Sequence, residues 1–209
     1  VPAWDIEPPR DPDAIDYLSK IFVDSGFELK PVLKAIFLSD FFKEAMYQKV
    51  RSPAEVVAGT LRLTGDLSGP DPRWGWVPNE PGYMGQSILD PPSVEGWHTG
   101  KEWINSGSLV TRINFVAELV GTTDMPGVGA IAGEMSSNGS AMTAEAFVDR
   151  CLELMGMVEV EERTRQELVG YAETGGLVSW DSGDERTKST GRVGEMLSLI
   201  AATREYQLG

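Results

Sequence analysis

A chain of 209 residues, 41% hydrophobic and 24% charged, has the size and composition of one globular domain that can bury a core without staples. Its formal net charge of -14 excludes nucleic acid as a natural partner and disfavours anionic membrane surfaces, because an acidic surface repels both. One cysteine, Cys151, excludes an internal disulfide and a multi-cysteine zinc site, and one histidine, His98, excludes any two-histidine metal centre.

In chain order, residues 1–12 are proline-rich and read as extended. A helix is predicted from Asp13 to about Ser25, with Ile15, Leu18 and Phe22 on one face and Gly26 as the stop. "FELKPVLKAIFLSDFFKEAM" carries the next apolar stripe, Leu29, Leu33, Ile36, Phe37 and Phe41. "SPAEVVAGTLRLTG" has explicit start chemistry: Ser52 as cap, Pro53 at the first helical position, and Glu55 to complete a capping box. Residues 66–82 read as an irregular or mobile loop, either free or anchored by its tryptophans. "YMGQSIL" is expected to form a short helix.

The helix "SLVTRINFVAELVG" places Leu109, Ile113, Val116, Ala117 and Val120 on one face. Residues 122–141 read as irregular or mobile, with one weak helix around "GVGAIAGEM". Three more helices follow. The first carries Phe147, Cys151, Leu154 and Met155, the second turns Leu168, Tyr171 and Ala172 inward, and the last runs through "RVGEMLSLIAATREYQ". Cys151 on an apolar face reads as packing, not as a nucleophile. "VLKAIFLSDFFK" from Val32 and "MLSLIAATREYQ" from Met196 align without gaps, each an apolar helix face followed by Ser or Thr and then an aromatic. Two copies do not make a solenoid. Alternation of period two is almost absent. The expectation is a single all-α domain over 1–209, an irregular bundle of six to seven helices with long Gly/Pro/Trp-rich loops.

No apolar run approaches the roughly 18 to 20 residues that span a bilayer, so membrane insertion is not expected. There is no GxSxG elbow, Walker loop or dinucleotide-binding glycine motif, and nothing calls for a metal or cofactor. "DSGDE" at 181–185 lacks calcium-loop spacing and reads as a solvated turn, and Asn138-Gly139-Ser140 matches a glycosylation sequon.

What remains is "ILDPPSVEGWHTGKEWINSG", residues 88–107, with Asp90, Glu95, Trp97, His98, Glu102, Trp103 and Asn105. In one reading Trp97 and Trp103 pin the loop to the bundle and Asn105 or Ser106 caps the next helix, so that no residue is catalytic. In the other, His98 with Glu95 or Glu102 forms an acid/base pair, and Trp97, Trp103 and Asn105 bind a sugar or other ligand.

"VRSPAEVVAGTLRLTG", "MGQSILDPPSVEGWHTGKEWINSGSLVTRINF", "FVDSGFELKPVLKAIFLSDFF" and the closing "LSLIAATREYQ" occur in the order of one bacterial family, and the chain resembles the family catalogued as domain of unknown function number eighteen hundred. The likeness is carried by residues 14 to 120 and by the last twelve. It implies a helical, exported protein, extracellular or periplasmic, of which this chain resembles the C-terminal half. Members are often encoded beside a second secreted family of sulfatase-like appearance. The resemblance therefore implies as partner a co-encoded secreted protein or cell-surface polysaccharide, and it carries over no catalytic residue. The sequence reading is a non-enzymatic interaction or surface-assembly module, with a hydrolase or carbohydrate-binding protein using residues 90–105 as the alternative.

Overall fold

The computed structural model describes residues 11–45, 49–65, 72–97, 99–137, 141–156 and 158–207, and it divides the chain into two compact units, 1–48 and 49–209. His98 and the sequon at 138–140 lie outside the described residues.

The first unit begins with α1, Pro12–Asp24, where the Asp11 carboxylate accepts the amide of Ala14 at 2.9 Å and proline takes the first turn. Gly26 and Phe27 then adopt positive φ of 74° and 69°, turning the chain into α2, Leu29–Leu38, which packs on α1 as a helical hairpin. The predicted continuous second helix is broken. Ser39 is extended, donates its hydroxyl to the Ile36 carbonyl at 2.7 Å and accepts the amide of Phe42 at 3.3 Å. A serine that bonds its own backbone in this way ends one helix and caps the next, here α3, Asp40–Glu44.

The second unit opens with α4, Pro53–Thr64, whose capping box between Ser52 and Glu55 forms as the sequence predicts, with Gly65 left-handed at the end. Two 3-10 turns, Pro72–Trp74 and Val77–Asn79, lead to the single turn of α5, Glu80–Tyr83. The helix expected at "YMGQSIL" is absent: Pro81 starts α5 upstream, and Gly85 at φ 98° ends it. A further 3-10 turn, Gly100–Trp103, precedes α6, Ser106–Gly121, and α7, Pro126–Ser137. The strand β1, Ala141–Met142, pairs antiparallel with β2, Val178–Ser179, Ala141 facing Ser179. Between and after them run α8, Ala144–Leu154, α9, Glu162–Thr174, α10, Gly183–Ala201, and α11, Arg204–Gln207. The all-α class stands. The described residues contain eleven α-helices, not six to seven, because two predicted helices split at Ser39 and near Thr203 and because α5 is too short to show a period.

The long helix α10 is the centre of the second unit, packed against α6, α7, α8 and α9, while α4 lies across α6. Val116, Val120, Val148, Cys151, Val193, Leu197 and Ile200 are fully buried there, and burial pushes the Cys151 thiol up to about 12, which leaves it protonated and inert. The helices approach closely where glycines meet. A Cβ on Gly194 would stand 2.8 Å from the Gly121 carbonyl oxygen, and one on Gly127 would stand 2.0 Å from the carbonyl oxygen of Leu63. Gly127→Ala therefore forces backbone against backbone between α7 and α4. The expected loss is about 1–3 kcal/mol or more, read as an earlier urea midpoint, and an unchanged midpoint would show that the two helices part freely.

Candidate functional site

The 88–107 segment is tied down from both sides. Asp90 donates its amide to the Ser87 carbonyl at 3.2 Å, and the Trp97 indole N–H reaches the same carbonyl at 3.0 Å, drawing the loop back on its own start. Ser93 and Gly96 pair in a short bridge, and Glu95 sits exposed in that turn. Trp103 is buried. Its carbonyl accepts the Ser108 hydroxyl at 2.7 Å, and the Asn105 side chain accepts the amides of Gly107 and Ser108 at 3.1 and 3.0 Å. Asn105 is thus the cap of α6, which occupies its side-chain oxygen. Glu102 is exposed on the 3-10 turn before Trp103, and Trp97 is half-buried. The structure brings Trp97 to Ser87 and joins Trp103, Asn105 and Ser108. The bonds it shows at these residues are ones that position the chain. The tryptophans of the preceding loop do the same: Trp74 and Trp76 lie 5.8 Å apart, and Trp76 meets Phe115 of α6 at 6.1 Å.

A polar cluster that the sequence reading did not single out lies at the start of α4. Arg112 is fully buried; its Nε donates to the Gln207 side-chain oxygen at 3.1 Å and its Nη2 to the Arg51 carbonyl at 2.7 Å. Gln207 in turn donates to the Ala201 carbonyl at 2.9 Å, and the Arg51 guanidinium lies 4.9 Å over the Tyr206 ring. Burial, and then the charge of Arg51, lowers Arg112 to about 10, so it remains a cation at neutral pH. At the exposed end of the same cluster, the Lys49 ammonium at 2.6 Å and the Ser52 amide at 2.7 Å hold the Glu55 carboxyl at about 2. The cluster joins residues 51, 112 and 207, and the only sequence hint of it is an arginine within a helix-forming apolar run.

A different kind of surface lies on the first unit. Val32, Ala35 and Ile36 of α2 are partly covered, but Leu29, Leu33, Phe37 and Leu38 are 66%, 51%, 59% and 62% exposed, and Phe42, in edge contact with Phe37, is 45% exposed. Positions 29, 33 and 37 fall one helical turn apart, so they form a continuous apolar stripe. A helix apolar on both sides is normally buried on both. Among the described residues there is no group of three or more His, Cys, Asp or Glu able to hold a metal, and no helix is long and apolar enough to cross a membrane.

Among the described residues the fold is all-α, and α2 and α3 carry an exposed apolar stripe. A family model described as Protein of unknown function (DUF1800) matches residues 4–208, and the chain belongs to that family. The match runs through residues 122–180, where the motifs carry little likeness. No curated protein and no solved structure matches the chain.

Proposed function

We propose that this chain is a non-enzymatic interaction module of an exported bacterial protein, and that it works by docking the α2–α3 face onto a co-encoded secreted partner. The observation that carries the reading is the stripe Leu29, Leu33, Phe37 and Phe42, more than half exposed at three of its four positions. Contiguous apolar patches of this kind mark association surfaces. The bonding of residues 88–107 supports the same reading, since Trp103 and Asn105 are engaged in holding the loop and the start of α6.

The test is co-expression of the full-length protein with the product of its neighbouring gene, followed by pull-down. Leu33→Glu with Phe37→Glu is expected to leave the melting temperature nearly unchanged, because both side chains already face solvent, and to abolish capture. Capture that survives the double substitution would overturn the docking face. Hydrolytic activity that requires Glu95 or Glu102 would overturn the non-enzymatic reading.

A further inference from the structure

A second feature, in the other unit and independent of the α2–α3 face, carries a ligand site. Between α8, α9 and α10 lies a hollow of about 310 Å³, at the lower end of the range for small-molecule sites and enough for one sugar ring. Its floor is apolar, made by Phe147, Ala172 and Met196, and one wall is the ring of Tyr171, which is 46% exposed. The sequence pattern predicts Tyr171 to point inward with Leu168 and Ala172; the structure turns it to this hollow instead.

The polar groups around it divide into those already engaged and those that are not. Arg192 donates to the carbonyls of Gly176, Leu177 and Ala172 at 3.0, 3.1 and 2.7 Å, and lies 5.6 Å over the Phe147 ring. It closes the end of α9 and fixes the cavity wall, and a Cβ on Gly175 would meet its guanidinium carbon at 2.7 Å, so a larger residue there would shift the Arg192 side chain. Glu195 accepts the Tyr171 hydroxyl at 3.3 Å, which holds the ring in place and leaves carboxylate oxygen free to accept further hydrogen bonds. Lys188 has no hydrogen bond or ion pair among the described residues. Two cations and one carboxylate line the hollow, a net positive lining on a chain of net charge -14. An acidic protein that surrounds a cavity with excess positive charge favours an anion there over its general repulsion of anions.

Lys188 and Glu195 are two turns apart on one face of α10, about 10 Å along the axis, so a cationic and an anionic group stand near opposite ends of the stretch that lines the hollow. Gly191 sits midway between them, and a Cβ there would meet nothing within 4 Å. A helix-interior glycine gives up about 1 kcal/mol against alanine, and here no close packing accounts for it. We propose that this hollow binds a uronic acid unit, a carboxylate-bearing pyranose. Lys188 takes the carboxylate, the Tyr171 ring takes the C–H face, and Glu195 accepts ring hydroxyls.

The test is a ¹H–¹⁵N titration of the whole chain with three probes: D-glucuronate, its neutral counterpart D-glucose, and benzoate, which has the carboxylate without hydroxyls. D-glucuronate is expected to shift the amides of Tyr171, Lys188, Gly191 and Glu195. Glucose and benzoate should each bind about tenfold or more weakly, since each lacks one set of charge-assisted bonds. Lys188→Met should weaken glucuronate by a similar factor and leave glucose unaffected. Gly191→Leu puts a side chain into the open space without backbone conflict, so it should abolish binding while the spectrum stays that of a folded protein. Absence of shifts with glucuronate, equal binding of all three probes, or binding undiminished in Gly191→Leu would each overturn the site.

Discussion

Arg112→Ala is expected to lower the stability of the second unit by about 2–5 kcal/mol, since it empties a buried site and leaves its acceptors without a donor. The loss has two parts. The Gln207 side-chain oxygen and the Arg51 carbonyl each lose a donor, 3.1 and 2.7 Å away in the native protein, and a buried acceptor left alone costs about 1–3 kcal/mol. The truncation also empties the space of a long, fully buried side chain. Arg112→Met separates these parts. It fills much of the volume and removes the charge whose burial depresses the guanidinium, so it should lose less than alanine does. Urea denaturation at neutral pH reads both values. An alanine variant within about 0.5 kcal/mol of the parent, the range of an ordinary surface change, would mean that the network does not hold the closing turn to the start of α4.

Trp103→Ala carries the second large effect. Trp103 is 6% exposed, so truncation of its indole leaves a cavity and should cost about 3–5 kcal/mol, while the backbone carbonyl that accepts the Ser108 hydroxyl is retained. Trp97→Ala should cost less, about 1–2 kcal/mol, because that ring is half-buried and its structural work is one bond to the Ser87 carbonyl. The two tryptophans look equivalent in sequence. Comparison of the two melting temperatures distinguishes them, and a Trp97 variant as damaged as the Trp103 variant would place the loop's main anchor at its centre, not at its end.

How much of this was legible in the sequence depends on which interaction sets each feature. The capping box at Ser52 and Glu55, the glycine stop at Gly65 and the apolar face of α10 are local or strongly periodic, and they read directly from the residues. The face of α6 read only in part. The period points to Leu109, Ile113, Val116, Ala117 and Val120; Val116 and Val120 are buried and the other three half-buried, while the buried line also takes in Ser108, Arg112, Phe115 and Leu119. The helix is rotated because two polar residues, Ser108 and Arg112, find partners inside, and hydrophobic periodicity counts every polar side chain as outward. Tyr171 fails in the opposite sense: an aromatic at a core-like position lines a hollow. The candidate loop shows the same limit. Its composition announces anchoring material, but whether Asn105 caps a helix or meets a ligand is decided by the position of the Gly107 and Ser108 amides, which no spacing rule supplies. The internal echo gains a geometry. Thr203 donates to the Ile200 carbonyl at 2.7 Å and accepts the Tyr206 amide at 3.3 Å, the same two bonds that Ser39 makes with Ile36 and Phe42.

That repeated elbow has a consequence for how the polypeptide organises itself. One copy ends in Tyr206, buried under Arg51; the other ends in Phe42, open to water. The bend has the same bonds in both settings, and they span only seven residues, Ile36 to Phe42 and Ile200 to Tyr206, so it is a local feature of the chain. Each hinge of this type can close as soon as its own turn has formed, and what docks later arrives already angled.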